Sequence, residues 1–295
     1  NAFLKDKSSQ AYEKLVDALL GSLRYGEHQA RYWLDAVRYG DTHGLHLDNK
    51  RGIYPYRDWV IRAFNQNQPL DEFLTWQLAG DLLPNPTIAQ LVATGFVRMN
   101  PTTAEGGAIP AEFQAKNNFD RVETLGTALL GMSLTCARCH THKYDPIPQT
   151  EYYRMMAFFN STAEPSMDGN KYEFGPTIKA PSDIAAWNTW EELDAKHVSL
   201  TEQAEEKPEL KEQAAMVAKE IAEFKKSFKS SLIARDLPKP RETKLLERGE
   251  YNRPKGEPLK PDVFAVMGTL PKDAPTNRLG LAQWLTARGH PLVSR

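Results

Sequence analysis

Apolar side chains recur at intervals of three and four residues along most of this chain, and they nowhere alternate with polar ones for long. Such spacing places them on one side of an α-helix, whereas a half-buried strand would show alternation. The fold class predicted from the sequence is therefore mainly α. Helices are predicted within these ranges: 11–40 (two helices), 55–68, 70–79, 87–98, 111–134 and 150–159.

Composition divides the chain into three predicted parts. Residues 1–165 form a helical domain that carries a cysteine motif. Residues 166–235 hold a loop and then a helical hairpin, because residues 183–232 are rich in Glu, Lys and Ala, with apolar residues at helical spacing. Seven prolines within residues 236–275 exclude long regular elements. Residues 236–295 are therefore predicted to be an extended segment that ends in one amphipathic helix.

The charge balance and the absence of long apolar runs limit the possible partners. With 38 acidic and 37 basic residues, the chain has no strong field that would favour nucleic acid or an anionic membrane surface. No run approaches the roughly 18 apolar residues of a membrane span. The opening residues, NAFLKDKSSQ, contain no apolar signal core, so the protein is either cytoplasmic or has lost an export signal. The abrupt end after a helical segment suggests part of a longer polypeptide.

The two cysteines of the chain stand in the sequence CARCH, as Cys136 and Cys139 with His140 directly behind them. Two thiols three residues apart on a helical turn lie on one side and can add to the two vinyl groups of haem, while the histidine binds the iron. The first functional prediction is therefore one covalent haem c on these three residues. The helix predicted upstream places the motif at or beyond a helix end.

Three other interpretations of the cysteine motif stay open. A structural zinc ion could bind Cys136, Cys139 and His142, but a closed site needs a fourth ligand, and no second Cys or His pair has the usual spacing. A redox-active dithiol would be expected beside a βαβ unit, which the helical pattern does not provide. The two cysteines could also be ordinary buried residues beside a hydrogen-bonded histidine.

A bound haem would need its second axial position filled from the opposite face of the porphyrin. The candidates lie far from the motif in sequence: His43, His46, Met99, Met155 and Met156. A histidine ligand would give a low reduction potential, a methionine would raise it, and an empty position would allow small-molecule chemistry in a haem enzyme. Arg57 and Arg121 are candidates for binding the haem propionates, since a guanidinium group holds a carboxylate with two hydrogen bonds; structural salt bridges are the alternative role.

Long blocks of the sequence resemble a known bacterial family. RYWLDAVRYGDTHG, ATGFVRMN and FDRVETLGTALLGMSLTCARCHTHKYDPI, in this order, are similar to the domain of unknown function DUF1549, labelled PSCyt2, a cytochrome-c-like domain of planctomycetes. The tail, from GEPLKPDVFAVMGTLP onwards, looks like the start of a companion domain, DUF1553 or PSD1. The family's cysteine motif maps onto Cys136, Cys139 and His140, and the segment that follows maps onto His142, Lys143, Asp145 and Pro146. Thr141 stands where relatives commonly have Asp, which removes an acceptor for His140 or His142.

The resemblance implies a periplasmic or extracellular protein, because bacteria attach haem to such motifs outside the cytoplasmic membrane. It favours electron transfer, or the redox module of a larger exported protein. The partner is then a redox protein or the C-terminal continuation of the same chain, and not a nucleic acid. A zinc-binding or metal-free structural domain of an extracellular assembly is the alternative. The resemblance implies no particular enzymatic reaction.

Overall fold

The computed structural model describes residues 2–45 and 47–293, and this part of the chain is mainly α-helical, as predicted. The helices are α1 (Ala2–Lys5), α2 (Ala11–Leu20), α3 (Leu23–Ala36), α4 (Tyr54–Asn65), α5 (Leu70–Ala79), α6 (Ile88–Ala93), α7 (Pro110–Thr124), α8 (Gln149–Ala157), α9 (Ile184–Glu206), α10 (Lys211–Phe224) and α11 (Arg278–Leu285). The strands are short: β1 (Thr177–Ala180), β2 (Lys229–Leu232), β3 (Leu245–Leu246) and β4 (Pro254–Lys255). No helix in residues 2–45 or 47–293 is long and apolar enough to cross a bilayer.

An aromatic cluster joins α3, α4 and α5 in the hydrophobic core. Trp59 of α4 stacks on Phe73 of α5, with ring centroids 5.2 Å apart and planes inclined by 11°. The indole N–H of Trp33 in α3 donates a hydrogen bond to Gln77 Oε1 at 2.9 Å, and the Tyr56 hydroxyl donates to the same oxygen at 2.6 Å. The apolar stripes of the three helices therefore meet in one core, and their few polar atoms bind one another.

The two strand pairs lie in the second half of the chain. β1 and β2 are antiparallel, with Thr177 opposite Leu232 and Ala180 opposite Lys229. β3 and β4 form a second antiparallel pair. Between β1 and β2 the chain forms α9 and α10, which are joined by a short 3₁₀ turn at Pro208–Leu210 and pack against each other. Asp183 caps the start of α9, because its carboxylate accepts the Ala186 N–H at 2.8 Å.

Helix α11 ties the C-terminal segment to the end of α5. Its Arg278 is fully buried and binds the carboxylate of Asp81, near the end of α5, with two hydrogen bonds of 2.9 and 2.7 Å. The same guanidinium group also contacts Asp236 at 3.0 Å and donates to the Leu78 carbonyl at 2.7 Å. One buried arginine therefore joins three segments that are far apart in sequence.

The helix predicted over residues 111–134 is shorter and changes its geometry. Helix α7 ends at Thr124, and a π-helical turn follows at Leu125–Leu130. Gly131 ends this turn with a φ of 64°, a left-handed conformation that glycine adopts without a steric penalty. The chain therefore leaves the helix before the cysteine motif, which lies on a turn of its own.

Candidate functional site

The cysteine motif forms one tight turn. A 3₁₀ helix spans Thr135–Arg138, and the Cys139 N–H closes it by donating to the Cys136 carbonyl at 3.3 Å. In a 3₁₀ helix, side chains three residues apart eclipse each other. The thiols of Cys136 and Cys139 therefore project from the same side of the turn.

Buried neighbours hold this turn at the protein surface. Leu134 and Ala137 are both fully buried, so the opposite side of the turn faces the core. Leu134 lies close to Gly126, where a Cβ atom would come within 2.7 Å of the leucine Cγ. Cys136 is exposed and Cys139 is half-buried, and neither forms a disulfide. The inner side of the turn is therefore packed against the core, and its outer side is accessible to solvent.

His140 is exposed and has one ring nitrogen engaged. Its Nδ1 lies 2.7 Å from the Thr141 carbonyl oxygen, which can only accept a hydrogen bond. In the neutral ring, Nδ1 therefore carries the hydrogen, and the lone pair of Nε2 is available to a metal ion. The main-chain carbonyl of Thr141, and not its side chain, is therefore the acceptor for His140.

His142 faces a different set of groups from His140. Its Nδ1 accepts hydrogen bonds from the main-chain N–H groups of Asp145 at 2.8 Å and Tyr144 at 3.3 Å, so the ring closes the loop after the motif. Across residues 2–45 and 47–293, no group of three or more His, Cys, Asp or Glu side chains is arranged to hold a metal ion. The Nδ1 atom of His142 is engaged by main-chain N–H groups of the loop.

A cleft of about 330 Å³ opens beside Cys139, between α7 and the segment Glu247–Gly249. Gly249 has a φ of 75°, and a Cβ atom at this position would lie 3.3 Å from the Cys139 sulfur. Phe119 and Tyr251 supply aromatic lining, and the cations Lys116, Arg138 and Arg248 line the cleft together with the carboxylates of Glu112 and Glu250. Burial alone would lower the pKa of Arg138, but Glu123 and Cys139 outweigh burial and raise it. Arg138 therefore stays protonated beside the thiol.

The distal candidate His43 has partners other than the cysteine turn. His43 is buried, and its Nδ1 lies 2.9 Å from Thr102 Oγ1 and 3.1 Å from Asp168 Oδ2, while its Nε2 lies 3.0 Å from the Lys171 carbonyl. Burial lowers the pKa of His43, although Asp168 opposes the shift. Both ring nitrogens therefore have protein partners. His46 lies outside the described residues.

The methionine candidates and the two arginines also have other surroundings. Met99, Met155 and Met156 are buried in the hydrophobic core. Arg57 is partly exposed and binds Asp58 at 2.9 Å. Arg121 is buried, forms an ion pair with Glu164, and donates to the Val97 carbonyl at 2.9 Å. Both guanidinium groups therefore form salt bridges within the protein.

The structure thus brings together Cys136, Cys139 and His140 from the predicted set. Sequence reasoning missed the positive residues of the adjacent cleft. Arg138 had a usable signal, because it stands between the two cysteines. Arg248 and Lys116 had none, since they reach the cleft only through the packing of distant segments.

Comparison with known families agrees with the resemblance of these sequence blocks. A family described as PSCyt2, protein of unknown function (DUF1549), matches residues 1–164. The chain belongs to the PSCyt2 family. The PSCyt2 region therefore contains α1–α8 and the cysteine turn, whereas the two strand pairs and α9–α11 lie beyond it. No curated protein and no solved structure matches the chain.

Proposed function

We propose that the PSCyt2 region binds one haem c through thioether bonds to Cys136 and Cys139, with His140 as an axial iron ligand. The observation that supports this most directly is the 3₁₀ turn. It holds the two cysteines three residues apart on one turn at the surface, with Cys136 exposed and Cys139 half-buried, and the hydrogen bond from His140 Nδ1 to the Thr141 carbonyl leaves Nε2 available. A protein of this kind serves in electron transfer or as the redox module of a larger exported protein.

The residues around the turn fit the attachment chemistry. A bound haem supplies one-electron redox chemistry. Thr141 keeps His140 in one tautomer and makes its free nitrogen a better ligand, because the opposite nitrogen donates to a carbonyl. The positive side chain of Arg248 suits a carboxylate group such as a haem propionate, whereas Arg138 already pairs with Glu123 at 3.4 Å. The exposure of Cys136 and His140 leaves the turn open to attachment enzymes and to a redox partner.

A second candidate is a haem enzyme with an open axial position. It is favoured by the surroundings of His43, whose two ring nitrogens are both engaged, and by the burial of the three candidate methionines. If His43 moved to bind the iron, Asp168 and Thr102 would stay buried without their partner, and an unpaired buried polar group lowers the stability of the fold. On this proposal, a haem held by Cys136, Cys139 and His140 would supply small-molecule chemistry in addition to electron transfer.

The cellular setting follows from the same proposal. Covalent attachment of haem to such a motif takes place outside the cytoplasmic membrane in bacteria, so the protein is periplasmic or extracellular. The tail from Gly256 onwards is proposed to begin a DUF1553 domain, and its continuation or a separate redox protein is the electron partner.

The test is a visible spectrum of the oxidised and reduced protein, made with a periplasmic haem-attachment system, together with iron and zinc analysis. We expect sharp haem absorption bands in the reduced protein, which persist after denaturation, and one iron atom per chain. Cys136→Ala and Cys139→Ala should each remove one thioether bond, whereas His28→Ala, at an exposed histidine of α3, should leave the spectrum unchanged. Absent bands, or one zinc per chain in place of iron, would overturn the proposal.

Addition of carbon monoxide to the reduced protein separates the two candidates. A shifted band at low ligand concentration would indicate an open axial position. An unchanged low-spin spectrum would mean that the position is filled, and His43→Ala and His46→Ala would then identify the ligand by changing the spectrum.

A further inference from the structure

A second and larger cleft lies between the PSCyt2 region and the α9–α10 pair. Its volume is about 620 Å³. One wall is formed by α4, α5 and the start of α6, and the other by α9 and the residue that follows α10. Four of the six tryptophans of the chain line it: Trp59, Trp76, Trp187 and Trp190. Ligand sites often form at such junctions between structural units.

Two helices turn matching faces toward this cleft. On α9, Trp187, Trp190 and Glu191 stand at positions i, i+3 and i+4, and Asp194 follows at i+7. Residues at this spacing share one face of a helix. Trp59 and Arg62 have the same relation on α4. The polar and aromatic lining is therefore built into helices, which hold it in place.

Hydrogen-bond donors along the cleft are buried without acceptors. Arg62 is only 4% exposed; it forms an ion pair with Glu191, yet its Nε has no hydrogen-bond partner. The indole N–H of Trp187, a residue that is 1% exposed, and the side-chain amide nitrogen of Gln68 also have none. A buried donor without an acceptor is costly, so three in one cleft indicate a ligand or water that supplies acceptors.

The charges of the lining restrict what that ligand can be. Glu72, Glu191 and Asp194 oppose Arg62 and Lys225 within one cleft. An anion would be repelled by the three carboxylates, and a cation by the guanidinium and ammonium groups. Hydroxyl groups satisfy both sets, because each one can accept from an orphan donor and donate to a carboxylate. Trp59, Trp187 and Trp190 are buried, and Trp76, which is half-buried, offers apolar ring surface for the C–H groups of a sugar ring.

We propose that this cleft binds one or more sugar rings of a neutral glycan. Trp76 is half-buried at the mouth of the cleft and packs against the ligand. Arg62 and Trp187 donate to sugar hydroxyls, and Asp194 and Glu191 accept from them. The site needs no haem and is independent of the cysteine turn.

The test is affinity electrophoresis of the full chain, produced without haem, in gels that contain xyloglucan, glucomannan, galactomannan, laminarin or dextran. Alginate and heparin gels serve as acidic counterparts. Slower migration in at least one neutral glycan is expected. Trp76→Ala or Asp194→Ala should raise the dissociation constant about tenfold, since each removes one packing or hydrogen-bond partner.

Tyr32→Ala is the matched control, because it removes an aromatic ring that is 63% exposed on α3, away from the lining of this cleft. Far-UV circular dichroism checks that each variant is folded. If Trp76→Ala does not fold, Asp194→Ala still tests the site, because Asp194 is exposed and its replacement leaves the core intact. Migration unaffected by every neutral glycan would overturn the proposal. Binding to acidic glycans alone would overturn the neutral assignment, and binding unchanged in both variants would overturn the location.

Discussion

At the scale of single residues, buried arginines bind main-chain carbonyls that helices and strands leave unpaired. Arg98 is 2% exposed and donates to the carbonyls of Phe174 at 2.9 Å and Ile233 at 2.8 Å. The buried arginines that bind carbonyls in this way are Arg51, Arg98, Arg121 and Arg278. Because a guanidinium group has five donors, one side chain can fix several irregular segments at once.

The ion pair between Arg121 and Glu164 gives the first prediction. Arg121→Met leaves the Glu164 carboxylate buried without its partner, so the free energy of unfolding should fall by about 3–5 kcal/mol. Urea denaturation measures the loss. The double variant Arg121→Met with Glu164→Leu should recover part of it. Glu223→Gln breaks an exposed pair with Lys226 and should change stability by less than about 1 kcal/mol; an equal loss in this control would contradict the argument.

The same carboxylate predicts a dependence on pH. Burial alone would raise the pKa of Glu164, but Arg121 and Arg98 outweigh burial and lower it to about 2 from 4.5. The unfolded chain therefore binds more protons than the folded chain between these values, so the contribution is present above pH 4.5 and is lost as pH falls toward 2. Glu164→Gln lacks this contribution. Urea unfolding should show a stability difference between wild type and variant that is smaller at pH 3 than at pH 6; the same difference at both would disprove the assignment.

At the scale of elements, close contact between segments depends on positions that have no side chain. Gly280 of α11 lies so near the Pro275 carbonyl that a Cβ atom would overlap the oxygen. Asn277 caps the same helix by accepting the Leu279 N–H at 3.0 Å. The turn from Pro275 into α11 is therefore tightly packed, and it carries Arg278 into its buried position.

Gly280→Ala tests this packing. Alanine normally stabilises a helix interior relative to glycine by about 1 kcal/mol. Here the overlap with Pro275 should reverse the sign and lower the free energy of unfolding by about 1–3 kcal/mol. Thermal and urea unfolding report the change. Gln283→Ala, at an exposed position of the same helix, is the control and should be nearly neutral. Stabilisation by Gly280→Ala would mean that the Pro275 carbonyl can move away from residue 280 at little cost.

At the scale of the whole molecule, α9 and α10 form a unit whose two ends meet. Ala180 and Lys229 face each other at the end of the β1–β2 pair, so the chain leaves and re-enters the rest of the fold at one place. Helix α9 and Lys225, the residue after α10, nevertheless supply one wall of the large cleft. Helices α9 and α10 therefore complete a cleft that the PSCyt2 region alone lacks.

Replacing residues 181–228 with Asn-Gly gives the fourth prediction. A two-residue turn can join adjacent ends of antiparallel strands, so the shortened chain should remain folded. Its urea m-value should fall, because less surface becomes exposed on unfolding, and binding in the large cleft should disappear. Circular dichroism tests whether the shortened chain is folded, and urea titration measures the m-value. An unfolded product would show that α9 and α10 are needed for the folding of the PSCyt2 region.

Much of the fold was predictable because its signals are local. The spacing of apolar residues in α4 and α5 identified helices, and Pro55 and Pro69 marked the limits of α4 closely. The transition from α7 to a π-helical turn was not predictable, since Leu125, Leu129 and Leu130 keep helical spacing beyond the end of α7. The chain there folds back so that Leu134 packs closely on Gly126, a contact between separate turns that apolar spacing does not reveal.

The sequence by itself determined the helical class, the PSCyt2 family and the grouping of Cys136, Cys139 and His140, since periodicity and a five-residue motif are properties of neighbouring residues. Only the tertiary structure decided that His43 lies in a polar network with Asp168, and that the tryptophans of α4 and α9 share one cleft. These residues are separated by more than a hundred positions. Their proximity results from the packing of whole helices, which no local spacing specifies.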